Sequence, residues 1–303
     1  MKVGVSHTTF TEDDGTVADP VAVARFVEDL GLDSFWVSDH LAWDTPILDS
    51  VLTLTAAAAV TERIEVGFAV LQLALRRLAW IAKQVGTLQT ISHNRVNLGV
   101  GVGGHPHEEW ASAGMSLADR GRRTDDALRV LPALLAGETV ALPDVDGAPV
   151  TLTPPAPMPP VWVGGGSPAA LKRAAAFGDG WLPAAVTPDQ IRAGQATLRE
   201  LTEQAGRPTV RTGVSIFATL DAHVGGMSRE ALVDLCAGGF GFPRDHADAV
   251  VLGGKPAEVA ERLAEHAELG AEHAILVPFG GSWRRQCELL AEARSLLQEG
   301  EES

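Results

Sequence analysis

Short apolar runs alternate with amphipathic helical segments along the chain, and this alternation limits the fold more than any other feature. The strand-like runs lie at 3–7, 34–38, 64–70, 95–102, 161–164, 180–185, 210–220 and 273–278. Between them apolar residues recur at helical spacing, as in Val23, Phe26, Val27 and Leu30. Eight strand–helix units predict a (β/α)8 TIM barrel, an α/β architecture of roughly 250 residues. An open doubly wound sheet is the alternative, but units of similar length favour closure.

Several helix boundaries are marked by specific residues. Asp19-Pro20, Ser167-Pro168 and Thr187-Pro188 each place a capping side chain before a proline at the first helical position. Gly31 and Gly270 follow helical segments and predict their ends. The segments between the strands are therefore expected to be helices rather than long loops.

The chain has 303 residues, more than a minimal barrel needs, so we expect insertions. One follows strand four, near 103–118, and another follows strand seven, at 221–252. A third segment, 138–158, is typical of a short hairpin with a proline-rich return. Since no linker divides the sequence, we predict a single domain over residues 1–303.

Bulk properties exclude several classes of partner. A net charge of −15 argues against nucleic-acid binding. The longest nearly uncharged apolar stretch, 51–60, is too short to cross a membrane, and residues 1–9 resemble a first strand rather than a signal peptide. The only two cysteines, Cys236 and Cys287, are too few for a disulfide framework. We therefore expect a cytoplasmic location with no membrane partner.

In a TIM barrel, chemistry occurs where the strands end at their carboxyl side. The fifth strand ends in VGGGSP at 163–168, where three glycines allow close backbone approach. The helix that follows directs its free N–H groups and the positive end of its dipole at the same point. This arrangement predicts a phosphate-binding turn, although a glycine-rich turn without a ligand is the alternative.

Two other motifs have weaker interpretations. GVGVGG at 99–104 lacks the context of a dinucleotide-binding fingerprint, and its small residues, including Gly103, suit a flat ring lying against the barrel mouth. HPHEE at 105–109 lacks metal-ligand spacing, so no metal is predicted. We interpret it as a polar loop at the rim of the site, with His107 and Glu108 as candidate substrate contacts, and Glu109 as an alternative to Glu108.

The second strand ends in Asp39 and His40, a carboxylate beside an imidazole. A histidine at a strand end is often structural, but the adjacent acid and the catalytic position favour chemistry. Asp39 is expected to fix the His40 tautomer or to bind a ligand. Trp43, close by in sequence, and His7, at the end of the first strand, complete the predicted substrate pocket.

Five stretches together resemble the bacterial luciferase-like superfamily of flavin- and deazaflavin-dependent oxidoreductases. They run in family order and span nearly the whole chain, at 28–40, 61–92, 95–103, 159–183 and 251–278. The resemblance implies a TIM barrel that binds either reduced FMN or the deazaflavin coenzyme F420. The SDH ending of strand two is most similar to the F420 branch.

This resemblance also implies roles for individual residues. Asp39 would contact the deazaflavin ring, and His40 would lie near its redox-active carbon or the substrate. A non-proline cis peptide at Ala69–Val70 would support the ring. The remaining cofactor contacts would be the phosphate-binding turn and the backbone after strand six, at Gly164, Gly165, Gly166, Ser167, Ala184 and Ala185.

The sequence departs from the sugar-phosphate dehydrogenases of that branch. Their catalytic glutamate after strand four corresponds here to Gly104, and no basic cluster for a substrate phosphate is found. A glucose-6-phosphate dehydrogenase is therefore not expected. The candidates for neutralising an acidic cofactor tail, if they are not simply surface charges, are Arg76, Arg77, Arg120, Arg122 and Arg123.

The leading hypothesis is an F420-dependent oxidoreductase that transfers a hydride to or from a small organic substrate, with His40 moving the accompanying proton. A reduced-FMN-dependent monooxygenase supplied by a separate reductase is the alternative. A barrel that has lost its cofactor is a third. The resemblance further implies a homodimer, formed through the second and third helices.

Overall fold

The computed structural model describes residues 1–7, 15–220 and 226–301. Its strands are β1 (Lys2–His7), β2 (Ser34–Val37), β3 (Glu65–Phe68), β4 (Leu71–Gln72), β5 (Val96–Gly101), β6 (Thr139–Ala141), β7 (Pro149–Thr151), β8 (Val161–Gly164), β9 (Gly180–Leu182), β10 (Arg211–Leu220), β11 (Leu252–Gly254) and β12 (Ala271–Pro278). Its α-helices are α1 (Pro20–Asp29), α2 (Ser50–Val60), α3 (Leu78–Ile91), α4 (His107–Ser112), α5 (Arg120–Leu135), α6 (Pro168–Phe177), α7 (Pro188–Gln204), α8 (Arg229–Gly238), α9 (Arg244–Val250), α10 (Pro256–Glu268) and α11 (Trp283–Glu301). A 3-10 turn covers Leu73–Leu75.

Eight of these strands close into a barrel. The order is β1, β2, β3, β5, β8, β9, β10 and β12, every neighbouring pair is parallel, and β12 pairs with β1 to complete the ring. The predicted TIM barrel is confirmed, and the open sheet is not observed. Parallel closure brings the carboxyl ends of all eight strands to one edge, the barrel mouth.

Two predicted strands are shorter than their sequence pattern suggested. Pairing of β3 stops at Phe68, the Ala69–Val70 peptide is cis as predicted, and pairing with β5 resumes in β4. The predicted strand over 180–185 ends at Leu182, directly before Pro183. The residues beyond each end are therefore available to line the mouth.

Two tryptophans fill the barrel interior against glycines of neighbouring strands. A Cβ on Gly67 would lie 2.3 Å from the Trp36 ring, and a Cβ on Gly180 would lie 2.1 Å from the Trp162 ring. Both rings are buried and pack with Leu182 and Ile275. Any larger residue at these glycines would displace an indole, so the interior is a packed core.

A polar network lies at the amino end of the strands, opposite the mouth. The Oγ atom of Ser34 lies 2.7 Å from Nε2 of His273 and accepts a hydrogen bond of 2.7 Å from Trp36 Nε1. Trp162 Nε1 donates to Asn97 Oδ1 at 2.9 Å. Burial lowers the pKa of His273 to about 4, so this histidine is neutral near pH 7.

The predicted insertions after strands four and seven are both present. The first contains α4, a short helix where the sequence suggested only a polar loop. The segment 138–158 forms the antiparallel hairpin β6–β7 after α5, as predicted. The second insertion contributes α8, α9 and β11, and its residues 221–225 lie outside the described part of the chain.

The predicted caps are confirmed. The side chain of Asp19 accepts from Val21 N, and that of Ser167 accepts from Ala170 N, while Thr187 forms a capping box with Gln190. Within the described residues, no helix combines the length and apolar character needed to span a membrane.

Candidate active site

The Asp39 carboxylate is buried at the end of β2 and fully engaged by protein groups. Arg76 donates to both oxygens, at 2.6 and 2.7 Å. Ser50 Oγ and the backbone N of Gln72 donate to it at 2.7 and 2.9 Å. Burial acts to lower the pKa of Arg76, but attraction to Asp39 raises it, so the guanidinium remains charged. Asp39 thus ties the loop after strand two to the loop after strand three.

His40 is held by Glu109 rather than by Asp39. Its Nδ1 lies 3.2 Å from Oε1 of Glu109, whose other oxygen accepts from the backbone N of Leu41 at 2.9 Å. The expectation that Asp39 fixes the His40 tautomer is wrong, because the Asp39 oxygens face Arg76, Ser50 and Gln72. The loop after strand four, in which Gly104 was expected at the position of the family's glutamate, supplies Glu109 to His40 through α4.

Gln72 connects the two carboxylates, a role that was not predicted from its position after the third strand. Its Nε2 donates to the carbonyl oxygen of Asp39 at 2.6 Å and to Glu109 Oε1 at 3.2 Å. The residue is buried, and a Cβ on Gly103 would come within 1.7 Å of its Oε1. Gly103, predicted from the suitability of small residues for a flat ring, is therefore also required for the packing of Gln72.

Of the residues predicted to line the substrate pocket, only some lie beside His40 in the described structure. The Trp43 ring lies 4.3 Å from the His40 ring and is 42% exposed, so these two are brought together. His7 is buried at the end of β1 and packs on Trp283, with ring centroids 4.3 Å apart. His107 and Glu108 are exposed on α4, and the described hydrogen-bond and ring partners of His40 are Glu109, Gln72 and Trp43 instead. Of the two adjacent acids, Glu109 is the buried one.

The Ala69–Val70 peptide lies among the glycines of β5 and β8. A Cβ on Gly101 would approach Val70 Cγ2 to 2.3 Å, and one on Gly164 would approach Val70 Cγ1 to 3.1 Å. Val70 and Ala69 are only partly buried and cover the tryptophan layer of the barrel. These residues form a small, apolar floor to the mouth.

The glycine turn after β8 has the properties of an anion cradle. Gly165 has φ +94°, and a Cβ on Gly166 would meet no heavy atom within 4 Å. Both glycines and Ser167 are exposed, and the Ser167 side chain caps α6. The turn thus leaves open space in front of a helix amino terminus, which fits a phosphate group such as those of F420 and FMN.

The loop after strand six is fixed by a residue from the second insertion. His246 Nε2 lies 3.0 Å from the carbonyl oxygen of Ala185, a non-glycine residue with φ +49°. Ala185 N donates to Ser215 O at 3.0 Å, and Ala184 is exposed beside it. No local sequence pattern predicts His246 at this position, since its contact depends on how the insertion folds over the barrel.

Most of the arginines proposed for an acidic cofactor tail have protein partners. Arg76 is committed to Asp39, Arg77 to the carbonyl oxygen of Asp144, and Arg120 to Leu117 O and Gly103 O. The adjoining cleft, of about 200 Å³, is lined by as many aspartates as arginines, namely Arg76, Arg122, Arg123, Asp119, Asp126 and Asp144. This balance of charge does not single the cleft out as an anion site.

His105 and His107 stack on each other at 4.6 Å. In residues 1–7, 15–220 and 226–301, no group of three or more histidine, cysteine or acidic side chains is arranged to hold a metal. The stacked histidine rings form an aromatic pair in the loop after strand four.

Comparison with known proteins places this site in a family context. The family model described as luciferase-like monooxygenase matches residues 1–237. An uncharacterized protein of Mycobacterium tuberculosis is 35% identical over 166 residues, covering 54% of this chain and 57% of that protein. An F420-dependent glucose-6-phosphate dehydrogenase of Beutenbergia cavernae is 34% identical over 181 residues, covering 54% and 52%. The chain thus matches just over half the length of these curated relatives.

Solved structures share the fold across nearly the full chain. An F420-dependent secondary alcohol dehydrogenase in complex with an F420–acetone adduct superposes with a TM-score of 0.81 at 18% identity, covering 98% of this chain and 99% of that one. The FMN-bound oxygenating constituent of 3,6-diketocamphane monooxygenase from Pseudomonas putida has a TM-score of 0.72 at 17% identity, covering 96% of each chain. Both deazaflavin- and flavin-binding proteins are therefore among the chain's structural neighbours.

Proposed function

Since the chain belongs to the luciferase-like monooxygenase family, we propose that it is an F420-dependent oxidoreductase acting on a small organic substrate. The observation that carries the proposal is the His40–Glu109 pair at the barrel mouth, on the same edge as the glycine cradle after β8. The relatives that use F420 support the deazaflavin over FMN.

The residues present suit a flat cofactor that carries a phosphate. The cradle of Gly164, Gly165, Gly166 and Ser167 would hold the phosphate through backbone N–H groups and the α6 dipole. Ala69–Val70 would lie under the ring, and Ala184–Ala185 would bound one side. When bound, F420 supplies hydride transfer at its deazaflavin ring.

His40 is the group proposed to move the proton. The Glu109 carboxylate accepts from Nδ1–H, which fixes the tautomer and leaves Nε2 to accept or donate a proton. Among the described residues, no protein group engages Nε2, and the side chain keeps 21% exposure. Trp43 packs on the same ring and limits its rotation.

Asp39 acts in this proposal mainly by positioning the loop. Its contacts with Arg76, Ser50 and Gln72 hold the backbone from which His40 projects. Because both carboxylate oxygens already accept hydrogen bonds, a cofactor contact from Asp39 would add to this network.

A reduced-FMN-dependent monooxygenase is the second candidate, favoured by the description of the matched family and by the FMN-bound neighbour. It would use the same cradle and would need a separate reductase. The partners proposed in either case are a small-molecule substrate and a second copy of the chain, and the proposed location is the cytoplasm.

Cofactor choice is tested by titrating the purified protein with F420 and with FMN while following fluorescence quenching. We expect tight binding of F420 and weak or absent binding of FMN. Tight binding of FMN alone would favour the monooxygenase, and failure to bind either would favour a barrel that has lost its cofactor.

A further inference from the structure

Four phenylalanines from distant parts of the sequence meet beside the barrel mouth. Phe217 lies on β10 and Phe279 directly follows β12, with ring centroids 5.3 Å apart. Phe240 and Phe242 come from the loop between α8 and α9, and the Phe240 ring lies 5.6 Å from Phe217 and 6.1 Å from Phe279. We call these four residues the phenylalanine cluster.

The cluster lies at the same edge of the barrel as the cofactor cradle. Phe279 N donates to Ala218 O at 2.8 Å, which fixes the end of strand eight against strand seven. The Phe242 ring packs edge-on against His246 at 5.6 Å, and His246 contacts the carbonyl of Ala185. The cluster therefore adjoins the loop after strand six.

One side of the cluster is buried and the other is open. Phe217, Phe242 and Phe279 pack on a small core formed by α8, α9 and the residue that follows α9, namely Leu232, Val233, Cys236, Ala247 and Val251. Phe240 remains 45% exposed although it contacts other rings. An exposed aromatic ring in a cluster that adjoins the loop after strand six is apolar surface that a ligand can cover.

The described arginines of the strand-end loops and of the second insertion are engaged by protein groups. Between each barrel strand and the next helix, the sequence contains only two Lys or Arg residues, Arg76 and Arg77. Arg76 is bound to Asp39, and Arg77 donates to the carbonyl of Asp144. On the second insertion, Arg229 pairs with Asp248, and Arg244 with Glu230 and Asp234.

We propose that this site takes a neutral, largely apolar substrate whose apolar part lies on the phenylalanine cluster, and that it rejects phosphate esters. This inference rests on the proposed function, because it concerns the substrate of the oxidoreductase reaction proposed above. It separates this chain from the glucose-6-phosphate dehydrogenases among its relatives, since a sugar phosphate at the phenylalanine cluster would meet an apolar wall and arginines that are already paired.

Binding of methyl ketones from butanone to octanone to the full-length protein, measured by calorimetry with and without F420, tests the proposal. We expect each added methylene to tighten binding about two- to fourfold. Glucose 6-phosphate is expected neither to bind nor to displace octanone. Phe240→Ser should weaken the dependence on chain length, and Phe240→Leu should retain most of it.

Leu296→Ser provides the matched control, because Leu296 is a similarly exposed apolar residue on α11. Three results would each overturn the inference. They are a ketone affinity that does not change with chain length, a Phe240→Ser variant whose affinity depends on chain length as in wild type, and preferred binding of glucose 6-phosphate. The two proposals fail separately: ketone binding that follows chain length without F420 binding contradicts only the cofactor, whereas F420 binding without chain-length dependence contradicts only the apolar site.

Discussion

Oε1 of Glu109 lies 3.2 Å from Nδ1 of His40, across 69 residues of sequence. The Glu109 side chain is completely buried, and it also accepts a hydrogen bond from the backbone of Leu41. A buried acceptor facing Nδ1 selects the tautomer that carries a proton there. The pair therefore turns an imidazole at a strand end into a group with one defined reactive nitrogen.

Replacing Glu109 with Gln should lower turnover by about 10²–10⁴, the range typical of acid–base groups, because an amide can present either its oxygen or its NH2 group and no longer fixes the tautomer of His40. Cofactor affinity should change little. Glu108→Gln is the matched control, since Glu108 precedes it on α4 but is exposed. Steady-state kinetics with F420 would measure both. Equal losses in the two variants would contradict a specific role for Glu109.

Replacing His40 with Ala should slow turnover while leaving F420 affinity roughly intact, because the side chain is proposed to move a proton rather than to hold the cofactor. Added imidazole should restore part of the rate by entering the vacated space beside Trp43. Fluorescence titration and kinetics on the same preparation separate the two effects. Unchanged turnover would remove the proposed role of His40.

Gly166→Ala tests the cradle independently of catalysis. Its Cβ would meet no atom of the protein within 4 Å, so the melting temperature should be unchanged. If a phosphate lies against this backbone, however, the methyl group should weaken cofactor binding by at least tenfold, or about 1.4 kcal/mol. Gly238→Ala at the end of α8 is equally uncrowded and should leave cofactor affinity unchanged. Wild-type cofactor affinity in Gly166→Ala would place the phosphate elsewhere.

His273 predicts a loss of stability in acid. Burial lowers the pKa of His273 from 6.5 to about 4 in the folded protein. Between pH 6.5 and 4, the histidine is therefore protonated in the unfolded chain but neutral in the folded protein. Stability should therefore be complete above about pH 6.5 and fall by up to about 3 kcal/mol as pH drops to 4.

Urea unfolding of His273→Asn and wild type across this pH range would measure the effect. The free energy of unfolding of the variant should be lower than that of wild type at neutral pH. It should also fall less steeply than that of wild type between pH 6.5 and 4. His93→Asn, at an exposed histidine, is the control and should behave like wild type. If the unfolding free energy of His273→Asn falls with pH as steeply as that of wild type, other groups cause the loss of stability in acid.

The proposed dimer predicts a specific surface. Leu52 on α2 and Trp80 on α3 are large apolar residues with 69% and 71% exposure, on the two helices expected to form the interface. Leu52→Lys combined with Trp80→Lys should convert a dimer to a monomer in light scattering. Leu296→Lys on α11 should leave the mass unchanged. A monomeric wild-type protein would make the dimer proposal wrong.

Local sequence features were sufficient for the barrel, its helix caps and the glycine cradle. Strand and helix periodicities are properties of neighbouring residues, as are the Ser167 and Thr187 caps. Parallel strand ends meet at one edge of any closed barrel, so the sequence also predicted that His40 and Gly164 would face the same side.

The side chains that contact His40 and Asp39 at the barrel mouth could not be predicted from local sequence features. On α4, successive side chains point about 100° apart, so whether Glu108 or Glu109 reaches His40 depends on how the helix is rotated against the barrel. The short sequence of α4 contains no periodicity that fixes this rotation. The adjacency of Asp39 and His40 suggested a pair, but neighbours in extended chain point to opposite sides, and Asp39 turns to Arg76.

The sequence by itself determined eight strand–helix units, a histidine at the end of the second strand and a glycine turn at the end of the fifth. Each of these features depends only on residues that are close together in the chain. Tertiary structure alone decided that Glu109 holds His40, that Arg76 neutralises Asp39, and that four phenylalanines meet at the mouth. These contacts join segments far apart in the chain, and their geometry is set by how the insertions pack on the closed barrel.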